Sequence, residues 1–297
     1  MLSIHNVTSG QASTYYTHDS YYTRDQLRGR WTGKGAEFLG LDGDFTREDF
    51  ENIIEGRDRS GAELIERGFQ GKHQAGKDLT FIAPKSVSVL SEVLGDERVR
   101  EAHDKAVSRA LSYLEEHFSE ARITVKGVTE KVKTGNLVAA LFQHDTSREL
   151  DPQLHTHAVV MNMTMREEGK WRALASDKKK GDLLYGNKML MGQIYRNELA
   201  SNLKDLGYDV ISDSKGLFEI RGMDRAVLNE FSSRKEQIDD KVRALKESGL
   251  YKGVNEQKLR EIAALGSRVA KKDVDMNMVR SSWQATLCTH LIEVRRP

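Results

Sequence analysis

The stretch from Gly135 to Met163 constrains this chain more than any other. Two apolar runs, 135–144 and 154–163, are broken by one polar segment containing Asp151-Pro152. Such a pair reads as two antiparallel strands joined by a turn. Three histidines sit on it: His144 closes the first run, and His155 and His157 open the second. Alternate strand residues share a face, so His155 and His157 project together, about 6–7 Å apart along the strand. The turn brings His144 back beside them. A lone His-x-His is more often a pair of polar positions on a half-exposed strand. A third histidine on the neighbouring strand, among Leu141, Phe142, Ala158, Val159 and Val160, reverses that reading, because buried imidazoles without partners are costly. The trio is therefore expected to hold a divalent metal, for which neutral imidazole is a suitable ligand. Three ligands leave coordination positions open, as catalytic sites do and closed structural sites do not.

The rest of the chain supplies a frame for that pair of strands. Leu2–Val7 reads as a short strand, Ser9–Tyr16 as a helical turn, and residues 23–45 as glycine-rich and irregular. Thr46-Arg-Glu-Asp ahead of Phe50, Ile53 and Ile54 predicts an N-capped helix. Asp78-Leu-Thr-Phe-Ile-Ala, stopped by Pro84, is a strand on which Asp78, Thr80 and Ile82 face one way. A helix follows Pro84, and a longer one from about Asp96 to His117 places Val99, Ala102, Ala106, Ala110, Leu111 and Leu114 at three-to-four spacing. Further β-like pieces fall at 122–126 and 171–174. Beyond Asp177 the chain reads as helical, apart from a hairpin-like piece at 208–220. The expectation is an α+β protein: an antiparallel-sheet domain over residues 1–220, then a helical C-terminal lobe over 221–297.

Composition narrows the function classes. No run approaches the roughly 20 apolar residues of a membrane span, and the first residues lack the basic and apolar regions of a secretory signal. The single cysteine, Cys288, excludes an internal disulfide framework and a cysteine-based metal cluster. Both features predict a protein of a reducing compartment, the cytoplasm. Forty-six Lys and Arg against 45 Asp and Glu leave a net charge of +1, so general basicity does not announce a nucleic-acid binder. The charge is uneven, however. Arg24, Arg28, Arg30 and Lys34 surround Trp31, and a second basic run spans 170–188. Basic patches with an aromatic among them suit single-stranded nucleic acid as well as a plain solvated surface.

Four tyrosines fall in eight residues: Tyr15, Tyr16, Tyr21 and Tyr22. Aromatics paired this way and separated by polar residues do not read as core. They suit base stacking or, beside a metal, nucleophilic attack. With an ordinary pKa near 10, roughly a thousandth of a phenol is ionised at neutral pH, so a nearby base or cation is needed. Asp78 is a candidate partner for the far N–H of a ligand histidine, or simply a strand-start residue. Attack of a phenolate on a phosphodiester exchanges one phosphodiester for another and is therefore reversible.

Taken together, Tyr15-Tyr16 and Tyr21-Tyr22, Trp31-Thr-Gly-Lys-Gly-Ala-Glu, Asp78 through Ser88, His144 through His157, and Trp171-Arg-Ala-Leu resemble the relaxase domain of conjugative-plasmid relaxases of the TraI/TrwC type, within the histidine-motif endonucleases. The resemblance covers essentially the whole chain. It implies a five-stranded antiparallel palm backed by helices, with C-terminal helical fingers closing over single-stranded DNA. It implies strand-specific nicking at a transfer origin through a 5′-phosphotyrosine link, with His144, His155 and His157 as ligands of one divalent cation, Mg²⁺ or Mn²⁺. Asp78 becomes the base or the histidine-orienting carboxylate, Tyr15 the first nucleophile, and Tyr21 or its neighbours a second. Accessory relaxosome proteins and a helicase region beyond residue 297 are further expectations. DNA contacts are expected from Arg148, which could instead pair with Glu149 or Asp151, and from Lys188 and Arg196, eight apart on a helix. Two rivals remain at this point: a three-histidine hydrolase that uses bound water, and a non-enzymatic origin-binding module.

Overall fold

The computed structural model describes residues 2–8, 10, 29–43, 46–65, 74–175, 183–249, 251, 253–266 and 275–288. In order come β1 (Leu2–Thr8), β2 (Gly29–Thr32), α1 (Lys34–Phe38), α2 (Arg47–Ile54), β3 (Gln74–Ile82), α3 (Lys85–Ser88) and α4 (Glu97–Phe118). Then follow β4 (Glu120–Val125), β5 (Val128–Lys133), β6 (Ala139–Thr146), β7 (Pro152–Met161), β8 (Thr164–Met165) and β9 (Trp171–Arg172). The remainder is α5 (Leu183–Gly186), α6 (Lys188–Asp205), β10 (Val210–Ser212), β11 (Phe218–Ile220), α7 (Arg225–Glu230), α8 (Ser233–Glu247), α9 (Glu256–Gly266) and α10 (Met276–Cys288).

Five strands form one antiparallel sheet in the order β1-β3-β7-β6-β2. Its alternation sorts side chains into two layers. Leu79, Phe81, Leu141, Leu154, Ala158 and Val160 pack on one side with α4 and α6, whose Val99, Ala106, Leu114, Met191 and Tyr195 are all buried. On the other side, Ala140, Phe142, Val159 and Met161 meet Trp31 and the Phe50, Ile53 and Ile54 stripe of α2. Truncating a buried leucine such as Leu79 to alanine costs about 2–5 kcal/mol in layers packed like these. Thr46 caps α2 through a reciprocal bond with Asp49, as its sequence predicts. The spacing expected for α4 is the one buried, and Asp96 caps its first turn.

The region read as irregular holds β2 and α1. Gly33 and Gly35 there serve close approach of backbones rather than a loop. A Cβ on Gly35 would lie 2.7 Å from the Leu137 carbonyl oxygen, which instead accepts the Gly35 N–H at 2.9 Å. The piece expected at 122–126 pairs with β5, which the sequence reading omitted, in a hairpin separate from the main sheet. Its turn residues Lys126 and Gly127 both have positive φ, 50° and 80°, as a two-residue hairpin turn requires. The helical turn expected at Ser9–Tyr16 lies outside the described residues, apart from Gly10.

The C-terminal helices dock on the end of the sheet that bears the histidines. After α3 the chain widens into a π-helical turn, Val89–Val93. Val89 and Val93 pack there with Val227 and Phe231 around α7, and with Val279 and Trp283 of α10. No described helix is long and apolar enough to cross a membrane.

Candidate metal centre

β6 and β7 bring the three histidines together as the alternation demands. His144 stands opposite His155, and His157 stands opposite Phe142 on β6 and Thr80 on β3. The ring centroids lie 5.1 Å (His144–His155), 5.2 Å (His144–His157) and 5.2 Å (His155–His157) apart, with interplanar angles of 65°, 63° and 69°. One ligand nitrogen from each ring falls within 4.8 Å of the others. The register shifts just beyond His144, so Gln153 and Leu154 of β7 stand against Asp145 alone. Irregularities of this kind re-aim side chains near functional sites.

Two of the rings have their Nδ1 committed. His157 Nδ1 donates to Asp78 Oδ2 at 2.7 Å, with the Thr80 hydroxyl 3.3 Å from that nitrogen and from Asp78 Oδ1. His155 Nδ1 donates to the Gln153 carbonyl at 2.8 Å. A ring whose Nδ1 proton is held by a fixed acceptor presents the Nε2 lone pair, the form a metal binds. Burial, with His157 adding to it, pushes the His155 pKa down to about 4, so this ring stays neutral well below physiological pH. A carboxylate behind one ligand, a carbonyl behind another and three convergent imidazoles are the donor set of a divalent-metal centre.

The sequence reading missed the groups that support this set. Thr80 is adjacent to Asp78 on the same face. On the reverse face of β7, Thr156 sits between the two ligands and bonds His103 Nε2 at 2.8 Å. His103 Nδ1 bonds the Tyr195 hydroxyl, also at 2.8 Å. Strand alternation places Thr80 on the face of Asp78 without revealing its bond to the carboxylate; nothing local points to His103, 53 residues from Thr156.

The other predicted residues are distributed differently. Arg148 is half-buried on the turn after β6 and takes neither expected partner. Glu149 faces Arg234 at 3.7 Å, and Asp151 accepts the Ser233 hydroxyl at 2.9 Å and the Arg234 N–H at 3.3 Å. Lys188 is half-buried at the start of α6. Arg196 is buried, 8% exposed, and bonds Gln193 Oε1 at 2.8 Å beside β1. The two therefore do not share an outward face. Tyr15, Tyr16, Tyr21 and Tyr22 lie outside the described residues.

Fold and site together define a histidine-type metal centre mounted on an antiparallel palm. The chain belongs to the TrwC relaxase family, whose profile matches residues 9–290. It is 40% identical over 295 residues to the multifunctional conjugation protein TraI of Escherichia coli strain K12, an alignment covering 97% of this chain and 16% of TraI. The chain thus spans about one-sixth of the length of that curated relative. Among solved structures, metal-bound conjugative relaxase TrwC in complex with OriT DNA superposes with a TM-score of 0.84 at 39% identity, covering 96% of this chain and 97% of that one. TrwC complexed with a 27-mer DNA comprising the recognition hairpin and the cleavage site gives 0.84 at 38% identity, covering 97% and 98%.

Proposed function

We propose that this chain is the nicking domain of a conjugative relaxase, cutting one DNA strand at a plasmid transfer origin and rejoining it by tyrosine transesterification. The observation that carries the reading is the convergence of His144, His155 and His157, with Asp78 holding His157 from behind. His144, His155 and His157 would hold a divalent cation, Mg²⁺ or Mn²⁺ by availability and by the hardness of a phosphate ligand, and it would supply Lewis-acid stabilisation of the phosphodiester. The phenolic oxygen of Tyr15 attacks phosphorus, the P–O3′ bond breaks, and the sugar 3′-oxygen takes up a proton. The 5′ end remains esterified to tyrosine. Attack by a free 3′-hydroxyl reverses the step. Tyr21 or one of its neighbours supplies the second nucleophile that ends transfer. Asp78 spends one oxygen on His157 and the other on Thr80, which supports orientation of the ligand as its role ahead of proton abstraction.

Arg148, on the turn beside His144, is the candidate for the scissile phosphate. Lys188 is a candidate backbone contact, and Arg196 supports α6 from within. Residues 1–220 form the palm, and 221–297 the lobe that closes over the single strand. The sixfold greater length of TraI leaves room for a helicase region in the full protein, which would act with accessory relaxosome proteins in the bacterial cytoplasm. The test is incubation of the chain with Mg²⁺ or Mn²⁺ and a single-stranded origin oligonucleotide. An SDS-resistant protein–DNA adduct that disappears in Tyr15→Phe is expected. Cleavage without an adduct would favour the hydrolase, and neither cleavage nor adduct would favour a binding module.

A further inference from the structure

Alternation along β6 sends the two neighbours of His144 to the reverse face of the sheet, where one side chain collects both. Arg100 of α4 donates from Nη1 to Gln143 Oε1 at 3.1 Å and to Asp145 Oδ1 at 2.8 Å. Its Nη2 donates to Glu92 Oε2 at 2.6 Å; the Glu92 side chain, on the π-helical turn, is 1% exposed. Gln143 is gripped a second time, donating to Asp104 Oδ1 at 2.6 Å. Asp145 is also reached by Arg280 of α10 at 3.3 Å, but that arginine is half exposed, and a solvated contact anchors less firmly.

The position of this clasp matters because the ladder is interrupted there. Between His144 and Thr146 the pairing with β7 shifts register. Regular pairing of β6 with β7 therefore reaches His144 and is interrupted immediately after it. A planar guanidinium with several fixed donors can bridge two acceptors at once, which an ammonium on a flexible stem does poorly. We propose that Arg100 is a positioning residue for the metal centre, holding Gln143 and Asp145 so that the intervening His144 is aimed at His155 and His157. The inference rests on reading the three histidines as a metal site.

Co²⁺ titration of the full chain, followed by its visible absorption bands, tests it. Parent protein is expected to bind, and His144→Ala to lose binding. Removing groups that orient metal ligands typically costs 10–100-fold in affinity, so Arg100→Ala should weaken Co²⁺ binding at least about tenfold and alter the band intensities. Arg100→Lys should recover only part of that loss. Because Arg100→Ala strands a buried carboxylate, the Glu92→Leu/Arg100→Met pair is the second variant. It restores an apolar contact while still releasing Gln143 and Asp145, and should show the same weakening well below its melting temperature. Affinity and bands within twofold of the parent in that pair, with His144→Ala dead, would overturn the role of Arg100 and leave the metal site standing. A parent that binds no Co²⁺, or His144→Ala binding as tightly as the parent, would sink the metal reading and this proposal with it.

Discussion

The two faces of β7 each bury a histidine environment, and they use it in opposite ways. On one face His155 donates Nδ1 to the Gln153 carbonyl and keeps its other nitrogen for an ion. On the reverse face His103 is fully buried with both nitrogens engaged, by Tyr195 and Thr156. Burial pushes both pKa values down, to about 4 and about 3, so neutrality does not separate them. What separates a ligand from a core histidine is whether a lone pair is left unspent. A depressed pKa alone would have nominated the wrong ring as readily as the right one.

That contrast can be broken most directly by exchanging the roles. His155→Ala should reduce metal affinity by more than about 100-fold, judged against the 10–100-fold typical of groups one shell further out, with little change in denaturant midpoint. His103→Leu should do the reverse. It leaves the Tyr195 and Thr156 hydroxyls without a partner, costing about 2–3 kcal/mol in chemical denaturation, while metal affinity measured in the cold stays within about threefold. A large affinity loss in His103→Leu would mean that the reverse face also sets the ligands. Asp78→Asn retains shape but weakens the acceptor for His157 Nδ1, so a loss of about 10–100-fold in metal affinity is expected by isothermal titration. The most gradual effect is on pH dependence. His103 has a folded pKa of about 3, below its ordinary unfolded value near 6.5. The unfolded chain therefore binds the proton more readily between these values. Stability from this ring is complete above about pH 6.5 and declines by up to about 1.4 kcal/mol per unit as pH falls toward 3. Denaturation of the metal-free chain between pH 6.5 and 4.5 should show that slope added to the one from His155, whose folded pKa of about 4 acts in the same direction, and His103→Leu should flatten the total by one proton.

Legibility in the sequence followed the range of the interaction. The metal set was visible because alternation on two strands joined by a short turn is a local property, and Asp78 followed from the same rule on β3. The α4 stripe and the Thr46 cap were equally local. The sequence left Arg148 between a phosphate contact and a pairing with Glu149 or Asp151, because nothing local shows that Arg234, 85 residues from Glu149, meets both carboxylates. Arg196 was expected on an open face, whereas Gly192, one turn earlier, lets α6 approach Leu2 of β1 and buries it. The glycines at 33 and 35 looked like loop residues because their role, contact with the Leu137 carbonyl, involves the segment leading into β6, a hundred residues away.

The sequence alone determined which atoms could meet a metal, since side-chain direction on a strand depends only on the parity of residue number. It also determined the apolar faces that force a two-layered sheet. Tertiary structure decided everything that depends on which element lies beside or behind a strand: that Asp78 reaches from β3 to His157 on β7, that His103 and Arg100 brace β7 and β6 from the reverse face, and that the C-terminal helices seat on the turn after His144. These choices are set by packing between segments far apart in the chain, where small differences in helix approach decide which polar group finds a partner.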